Sequence, residues 1–225
     1  MEVNHAPSEP PAIPDGLDFI SPHREQLGTL AGAMALAFFD DPLMVHYLPG
    51  ISQRRRFLPG MMLTSLRYCR RYGEVWATPE LDAAACWLPP SHLKFSNFGL
   101  ARAAFGALPL GLGLRTIGRM LRSEARLDGL HNTNLPEPHW YLMLLGVSPA
   151  RAGRGIGSRL LASKMDRLKA EDMPVYLETM LGSNVDFYRK RGFRVLDEDE
   201  LAPGGPHVWA MAAGICGAGW QFPES

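Results

Sequence analysis

The chain has 225 residues, of which 46% are hydrophobic and 20% are charged. This composition suits one globular domain with a sizeable core and argues against extensive disorder. Because 23 basic residues balance 23 acidic ones, no overall field attracts nucleic acid or an anionic membrane surface. Cys69, Cys86 and Cys216 are far apart and form no CxxC pair, so we expect neither a disulfide framework nor a metal site.

The two ends of the sequence differ in composition from the middle. Residues 1–15 are rich in proline and lack the order of a secretory signal, so they predict a disordered tail. The glycine-rich residues 213–225 predict a C-terminal tail, which leaves one domain over residues 16–212. The uncharged run at residues 201–223 is broken by proline and glycine and falls short of the roughly 20 apolar residues that a membrane helix needs. We expect a cytoplasmic protein without a membrane segment, and the sequence leaves a homodimer open.

In the first half, the apolar spacing predicts helices and a hairpin. The segment "LDFI" predicts a short strand, and Ser21 with Pro22 predicts the start of a helix that ends near "FFDDP". A second helix is predicted over residues 54–72, with Gly73 at its end. The segments "EVWAT" and "AAACWLPP" predict two paired strands. Residues 91–135 are predicted to be mostly helical, although they are unusually rich in glycine and leucine.

The second half predicts a βαβ unit. "WYLMLLGV" has the continuous apolar character of a strand covered on both faces. A glycine-rich joint follows, then a helix with Leu160 and Met165 on its apolar side and Lys164 on its polar side, and then the strand "VYLET". We expect these two strands to be parallel, with a right-handed crossover. A short helix over residues 184–191 and strands at "GFRVL" and "HVWAMA" complete the domain.

The joint "RAGRGIG" has the features of an anion site. Glycine lets backbone N–H groups approach a ligand, and the N-terminus of the following helix adds partial positive charge. No lysine stands where a nucleotide-binding P-loop needs one, and the dinucleotide spacing fails because Ser158 or Leu160 occupies the last glycine position. The alternative is that the glycines only form a tight turn and the arginines are solvated.

Together, the apolar strand, the joint and "LETMLGSNVDFYRKRGF" resemble the GNAT superfamily of N-acetyltransferases, most closely its puromycin N-acetyltransferase-like members. The resemblance implies an α/β fold in which helices flank a mostly antiparallel sheet with one splayed parallel strand pair. The family loop begins with Gln or Arg, where this chain has Ala152, and Arg151 is the nearest substitute.

The resemblance also implies that acetyl-coenzyme A (acetyl-CoA) is the cosubstrate, with its pyrophosphate on the loop. Leu145 and Val147 correspond to the backbone contacts on the strand, Asn184 to the asparagine that bonds the pantetheine arm, and Tyr188 to the tyrosine at the sulfur. The complete predicted binding set is Leu145, Gly146, Val147, Ala152, Gly153, Arg154, Gly155, Ile156, Gly157, Ser158, Asn184 and Tyr188.

Acetyl transfer to an amine needs an acid, a base and an oxyanion donor. We predict Tyr188 as the acid, because a phenol with a pKa of about 10 is protonated at neutral pH, and the Leu145 N–H as the oxyanion donor. The strand before the loop has no glutamate, so Glu178 is the leading candidate for the base, with a structural carboxylate as the alternative. His139 and His207 are weaker candidates.

Three functions remain from the sequence. The first is an acetyl-CoA-dependent N-acetyltransferase that acts on a small-molecule amine in a ternary complex; the others are a non-catalytic acyl-CoA-binding module and a phosphate-binding regulator. Asp40 and Asp41 either line the acceptor site or shape a turn. The apolar residues of segment 91–135, including Phe105, either pack on the sheet or form a mobile wall that favours an apolar or aromatic amine.

Overall fold

A computed structural model describes residues 18–92, 112–134 and 138–214 of the chain. The strands are β1 (Glu74–Ala77), β2 (Ala83–Leu88), β3 (Trp140–Val147), β4 (Val175–Thr179), β5 (Arg194–Glu200) and β6 (His207–Ala213). The helices are α1 (Leu27–Ala37), α2 (Pro42–Tyr47), α3 (Ile51–Tyr72), α4 (Leu114–Asn134), α5 (Ile156–Ala170) and α6 (Gly182–Arg189). Short 3-10 turns lie at Pro90–His92 and Pro149–Arg151.

The strands form one six-stranded sheet in the order β1-β2-β3-β4-β6-β5. All neighbouring strands are antiparallel except β3 and β4, which are parallel. That parallel pair is joined only at Trp140 with Val175 and at Tyr141 with Tyr176. Since β3 continues to Val147 and β4 to Thr179, the two strands separate beyond the second pair. The predicted mixed sheet with one splayed parallel pair is confirmed.

Helices pack on both faces of this sheet. Residues of α1 to α4 form one core against the sheet, in which Leu30, Met34 and Leu66 are fully buried. Residues of α5 and α6 form the other core, against Trp76 and the remaining inward side chains of the strands. The predicted apolar faces of the first helix, the second helix and the helix after the joint are all buried.

The structure corrects the start of the chain's first helix. "LDFI" contributes a single bridge, in which Ile20 and Ala77 exchange two backbone hydrogen bonds. This pairing, together with the bond from Arg70 Nε to the Pro22 carbonyl at 3.2 Å, holds the segment extended past Ser21. The helix therefore begins at Leu27 rather than after Ser21.

The predicted polar face of α5 is wrong at Lys164. This side chain is 0% exposed, and its Nζ lies 2.9 Å from both carboxylate oxygens of Glu74. Its Nζ also lies 3.7 Å from the centre of the Trp140 ring. A carboxylate from β1 and an aromatic ring from β3 thus allow the ammonium to be buried, and neither partner is near Lys164 in sequence.

Other expectations fall partly outside the described residues. The helical prediction for residues 91–135 is confirmed over α4, whereas Phe105 and its neighbours at 93–111 lie outside the described residues. So do residues 1–17 and 215–225, and the domain limits stay a prediction. Cys69 and Cys86 are buried thiols. Across the described ranges, the helices are too short or too polar to cross a bilayer.

Candidate active site

The glycine-rich joint connects the free end of β3 to α5. Gly153 and Gly155 have φ angles of +77° and +72°, a backbone conformation that residues with a Cβ rarely adopt. A Cβ built on either residue meets no atom within 4 Å. The glycines are therefore required by the backbone conformation and leave open space beside the N-terminus of α5.

That open space belongs to a cavity of about 470 Å³. Its walls are the end of β3, the joint, the first turn of α5, and α6. The lining residues are Leu145, Val147, Arg151, Ala152, Gly153, Gly155, Ile156, Gly157, Ser158, Asn184, Phe187, Tyr188 and Arg191. The edge of β3 that is unpaired with β4 beyond Tyr141, a helix N-terminus and a glycine-rich loop thus converge on one space.

Two residues of the predicted binding set are placed differently. Arg154 is exposed and is not part of the lining of this cavity. Gly146 packs under α1, since a Cβ there would lie 2.8 Å from the Phe38 ring and 2.9 Å from Met34 Sδ. Gly146 also lines a third cavity of about 380 Å³ on the α1 side of β3.

A smaller cavity of about 80 Å³ lies next to the large one. The two cavities share Leu145, Asn184 and Tyr188. The small cavity is otherwise lined mainly by apolar side chains from α2, α4 and β3 and by Phe38, which follows α1; Glu178 and Asp41 are also among the lining residues. Tyr188, Asn184 and Leu145 therefore stand between two spaces on either side of the splayed strands.

Tyr188 is buried on α6 between two aromatic rings. Its ring centre lies 5.1 Å from that of Phe187 and 5.5 Å from that of Phe193, in edge-to-face arrangements. Burial raises the pKa of the Tyr188 phenol well above its ordinary value, and the nearby Arg191 charge opposes the shift. The phenol is therefore neutral and can donate a hydrogen bond at physiological pH.

Glu178 lies on β4 beside a buried pair of histidines. Its Oε1 is 3.8 Å from His131 Nδ1, and His131 Nε2 is 2.6 Å from His139 Nε2. Burial, with a smaller effect of His139, lowers the pKa of His131 to about 3. At neutral pH His131 is uncharged, so one imidazole of the pair donates to the other.

His131 was missed in the sequence because it lies on α4, in a segment without a recognisable motif, 47 positions before Glu178. His139, a weaker candidate for the base, is 1% exposed and belongs to the same cluster. His207 lies elsewhere, on β6, with Nε2 3.4 Å from Glu198 Oε2.

The two aspartates before α2 have separate positions. Asp41 caps α2, because its Oδ1 accepts hydrogen bonds from the backbone N–H groups of Leu43 and Met44. Burial raises the pKa of Asp41, and these two donors oppose the shift. The Asp40 side chain is 84% exposed and lies 3.4 Å from Arg54. Asp41 thus shapes the turn, as one alternative predicted, and it is also among the residues that line the small cavity.

Comparison with known proteins gives matches to part of the chain. The model of the family described as "Acetyltransferase (GNAT) family" matches residues 118–193, from within α4 to just past the end of α6. The mycothiol acetyltransferase of Clavibacter michiganensis is 35% identical over 75 residues, which are 32% of this chain and 24% of that relative. The matched segment therefore spans about a quarter of that relative.

Solved structures extend the likeness to most of the chain. A structure described as a histone acetyltransferase HPA2 and related acetyltransferase from Corynebacterium glutamicum has a TM-score of 0.60 at 20% identity, and covers 86% of this chain and 93% of that one. A mosquito arylalkylamine N-acetyltransferase-like protein has a TM-score of 0.57 at 14% identity, with 86% and 97% covered.

These findings establish the fold class. The chain has the GNAT fold, and its residues 118–193 match the acetyltransferase (GNAT) family model. The narrower resemblance to puromycin N-acetyltransferase-like members stays a prediction.

Proposed function

We propose that this chain is an N-acetyltransferase that transfers the acetyl group of acetyl-CoA to a primary amine of a small molecule. The observation that carries the proposal is the meeting of two cavities at Tyr188, Asn184 and Leu145, on a GNAT fold. One cavity has the anion-binding features that a pyrophosphate needs. The other contains carboxylates beside the same three residues.

Features of the large cavity support acetyl-CoA as its ligand. Gly153 and Gly155 leave space that a Cβ would fill, and the N-terminus of the 15-residue helix α5 points its free N–H groups toward it. The unpaired edge of β3 beyond Tyr141 offers backbone groups for an extended arm. In this proposal Ala152 to Ser158 hold the pyrophosphate, and Leu145, Val147 and Asn184 hold the pantetheine arm.

Acetyl-CoA supplies the activated acyl group. The amine nitrogen forms a C–N bond to the acetyl carbon and the thioester C–S bond breaks. The amine proton goes to Glu178, and the Tyr188 proton goes to the leaving thiolate. Because burial raises the pKa of the Tyr188 phenol, the phenol carries its proton at physiological pH. Glu178 lines the small cavity from the opposite strand of the opening. The Leu145 N–H on β3 is the proposed oxyanion donor.

The small cavity supports an amine acceptor with an apolar body. Phe38, Met44 and Leu127 are among its apolar lining residues, and Glu178 and Asp41 supply the acidic groups. The acceptor class is tested by comparing kcat/KM for aromatic amines with spermidine and a lysine-rich peptide. The predicted apolar wall is tested by repeating this series with Phe105→Ala. A preference for the polyamine or peptide would contradict the apolar acceptor.

The activity itself is tested by incubating the protein with acetyl-CoA and a panel of primary amines while free thiol is measured. Calorimetry on Gly155→Asp is expected to show lost acetyl-CoA binding, because the new carboxylate enters the anion site. Gly204→Asp is the matched control, since Gly204 has a φ of +69° and open space but is not part of the cavity lining. Binding without thiol release for any amine would favour the non-catalytic acyl-CoA-binding module. Unchanged affinity in Gly155→Asp would remove the loop from the site.

A further inference from the structure

Arg191 lies just after α6, and its guanidinium is fixed on the wall of the large cavity. One terminal nitrogen donates to Ser158 Oγ on the first turn of α5, and the other donates to the Phe187 carbonyl. The guanidinium carbon lies 3.6 Å from the centre of the Phe187 ring, within cation–π range. These contacts from two helices hold the positive charge next to the glycine-rich joint.

This charge has no carboxylate partner within the part of the chain that the structure describes. The neighbouring arginines differ: Arg151 Nε lies 3.2 Å from Asp82, and Arg189 lies 3.7 Å from Asp186. Burial lowers the pKa of Arg191, but a guanidinium stays charged at any physiological pH. A partly desolvated cation beside the positive N-terminus of α5 is electrostatically unfavourable. An anion bound between the guanidinium and the helix N-terminus would offset the charge of both.

The position of Ser158 brings the Arg191 guanidinium next to the glycine-rich joint. Ser158 is in the first turn of α5, immediately after the joint, so the guanidinium bonded to it is beside the loop N–H groups. The loop has Ala152 at the position where the family that it resembles has Gln or Arg. Arg151, the preceding residue, forms an ion pair with Asp82. Arg154 is exposed and outside the cavity lining, so of the two lining arginines Arg191 is the one without a carboxylate partner among the described residues.

We propose that Arg191 makes the charged contact with the pyrophosphate of acetyl-CoA and replaces the basic or amide side chain absent at Ala152. The inference rests on the proposed acetyl-CoA site and adds a binding residue that the sequence motif does not contain. Arginine suits this role because its planar donors match phosphate oxygens.

The test measures dissociation constants by calorimetry for three ligands: coenzyme A, 3′-dephospho-coenzyme A and S-acetylpantetheine, which has no phosphate. The variant is Arg191→Met, which retains an apolar side chain over Phe187, with Arg191→Lys as a conservative second variant. The matched control is Arg189→Met, two positions earlier, where the arginine is 58% exposed and paired with Asp186. Thermal unfolding of each variant checks that the fold is intact.

Arg191→Met is expected to weaken both phosphate-bearing ligands by similar factors, on the order of 10- to 100-fold as for a charged hydrogen bond. Binding of S-acetylpantetheine is expected to be unchanged, Arg191→Lys to be intermediate, and Arg189→Met to match the wild type. Weaker binding of coenzyme A alone would assign Arg191 to the 3′-phosphate and overturn the proposal. Equal weakening of all three ligands would overturn it in favour of a structural role. If the wild type binds none of them, the acetyl-CoA site itself is refuted.

Discussion

Replacing Lys164 with methionine tests the buried ion pair that links α5 to the sheet. Methionine has similar length and no charge, so it fills the same space. It leaves the Glu74 carboxylate, which is 5% exposed, with the Trp76 indole donor at 2.9 Å but without its cation. The favourable contact of the Lys164 ammonium with the Trp140 ring is lost as well.

The expected loss follows from the geometry. Removing one partner of a buried, hydrogen-bonded ion pair destabilises a protein by about 3–5 kcal/mol, because the other charge stays buried. At about 2–4 °C per kcal/mol for a chain of this size, the melting temperature falls by roughly 6–20 °C. A typical domain is stable by only about 5–15 kcal/mol, so the fold is seriously weakened.

Urea unfolding followed by circular dichroism measures this loss, with thermal unfolding as a second readout. Arg167→Met is the control, because Arg167 is 44% exposed and forms a surface pair with Glu171 at 3.0 Å; its replacement is expected to cost at most about 1 kcal/mol. Adding Glu74→Gln to Lys164→Met is expected to recover part of the stability, since it removes the orphaned charge. A loss of unfolding free energy below about 1 kcal/mol in Lys164→Met would refute the expectation that the Glu74 charge stays buried without a cation in the variant.

Tyr188→Phe is expected to lower kcat by roughly 100-fold through loss of the acid, with acetyl-CoA affinity retained; a wild-type rate with chemistry rate-limiting would exclude Tyr188. Gly73→Ala is expected to destabilise the chain by about 1–3 kcal/mol in urea unfolding, because its Cβ would lie 2.0 Å from the Trp87 carbonyl oxygen; an unchanged unfolding midpoint would contradict this. The pKa of His131 is lower in the folded chain than in the unfolded chain, so the wild type is expected to lose stability as pH falls from about 6.5 toward about 3. His131→Gln, which has no titrating group at this position, is expected to flatten that dependence. Parallel acid-unfolding curves for the two proteins would contradict the lowered pKa of His131.

The βαβ unit and the glycine positions of the joint could be predicted from the sequence alone. "WYLMLLGV" and "VYLET" coincide with the bounds of β3 and β4, because strands covered on both faces are continuous apolar runs. Gly153 and Gly155 were recognisable because only glycine readily adopts the positive φ that this joint requires. These signals are local, so they are complete within a few consecutive residues.

Which distant residues meet depends on how the elements pack in three dimensions. Helix α1 begins at Leu27 because Ile20 pairs with β1, and Lys164 is buried because Glu74 and Trp140 receive it. The contact of His131 with Glu178 likewise joins a helix to a strand that is far along the chain. Hydrophobic periodicity reports which face of an element is apolar, but a buried charge is tolerated only where another element supplies its partner. That partner is set by packing in space, and no local pattern encodes it.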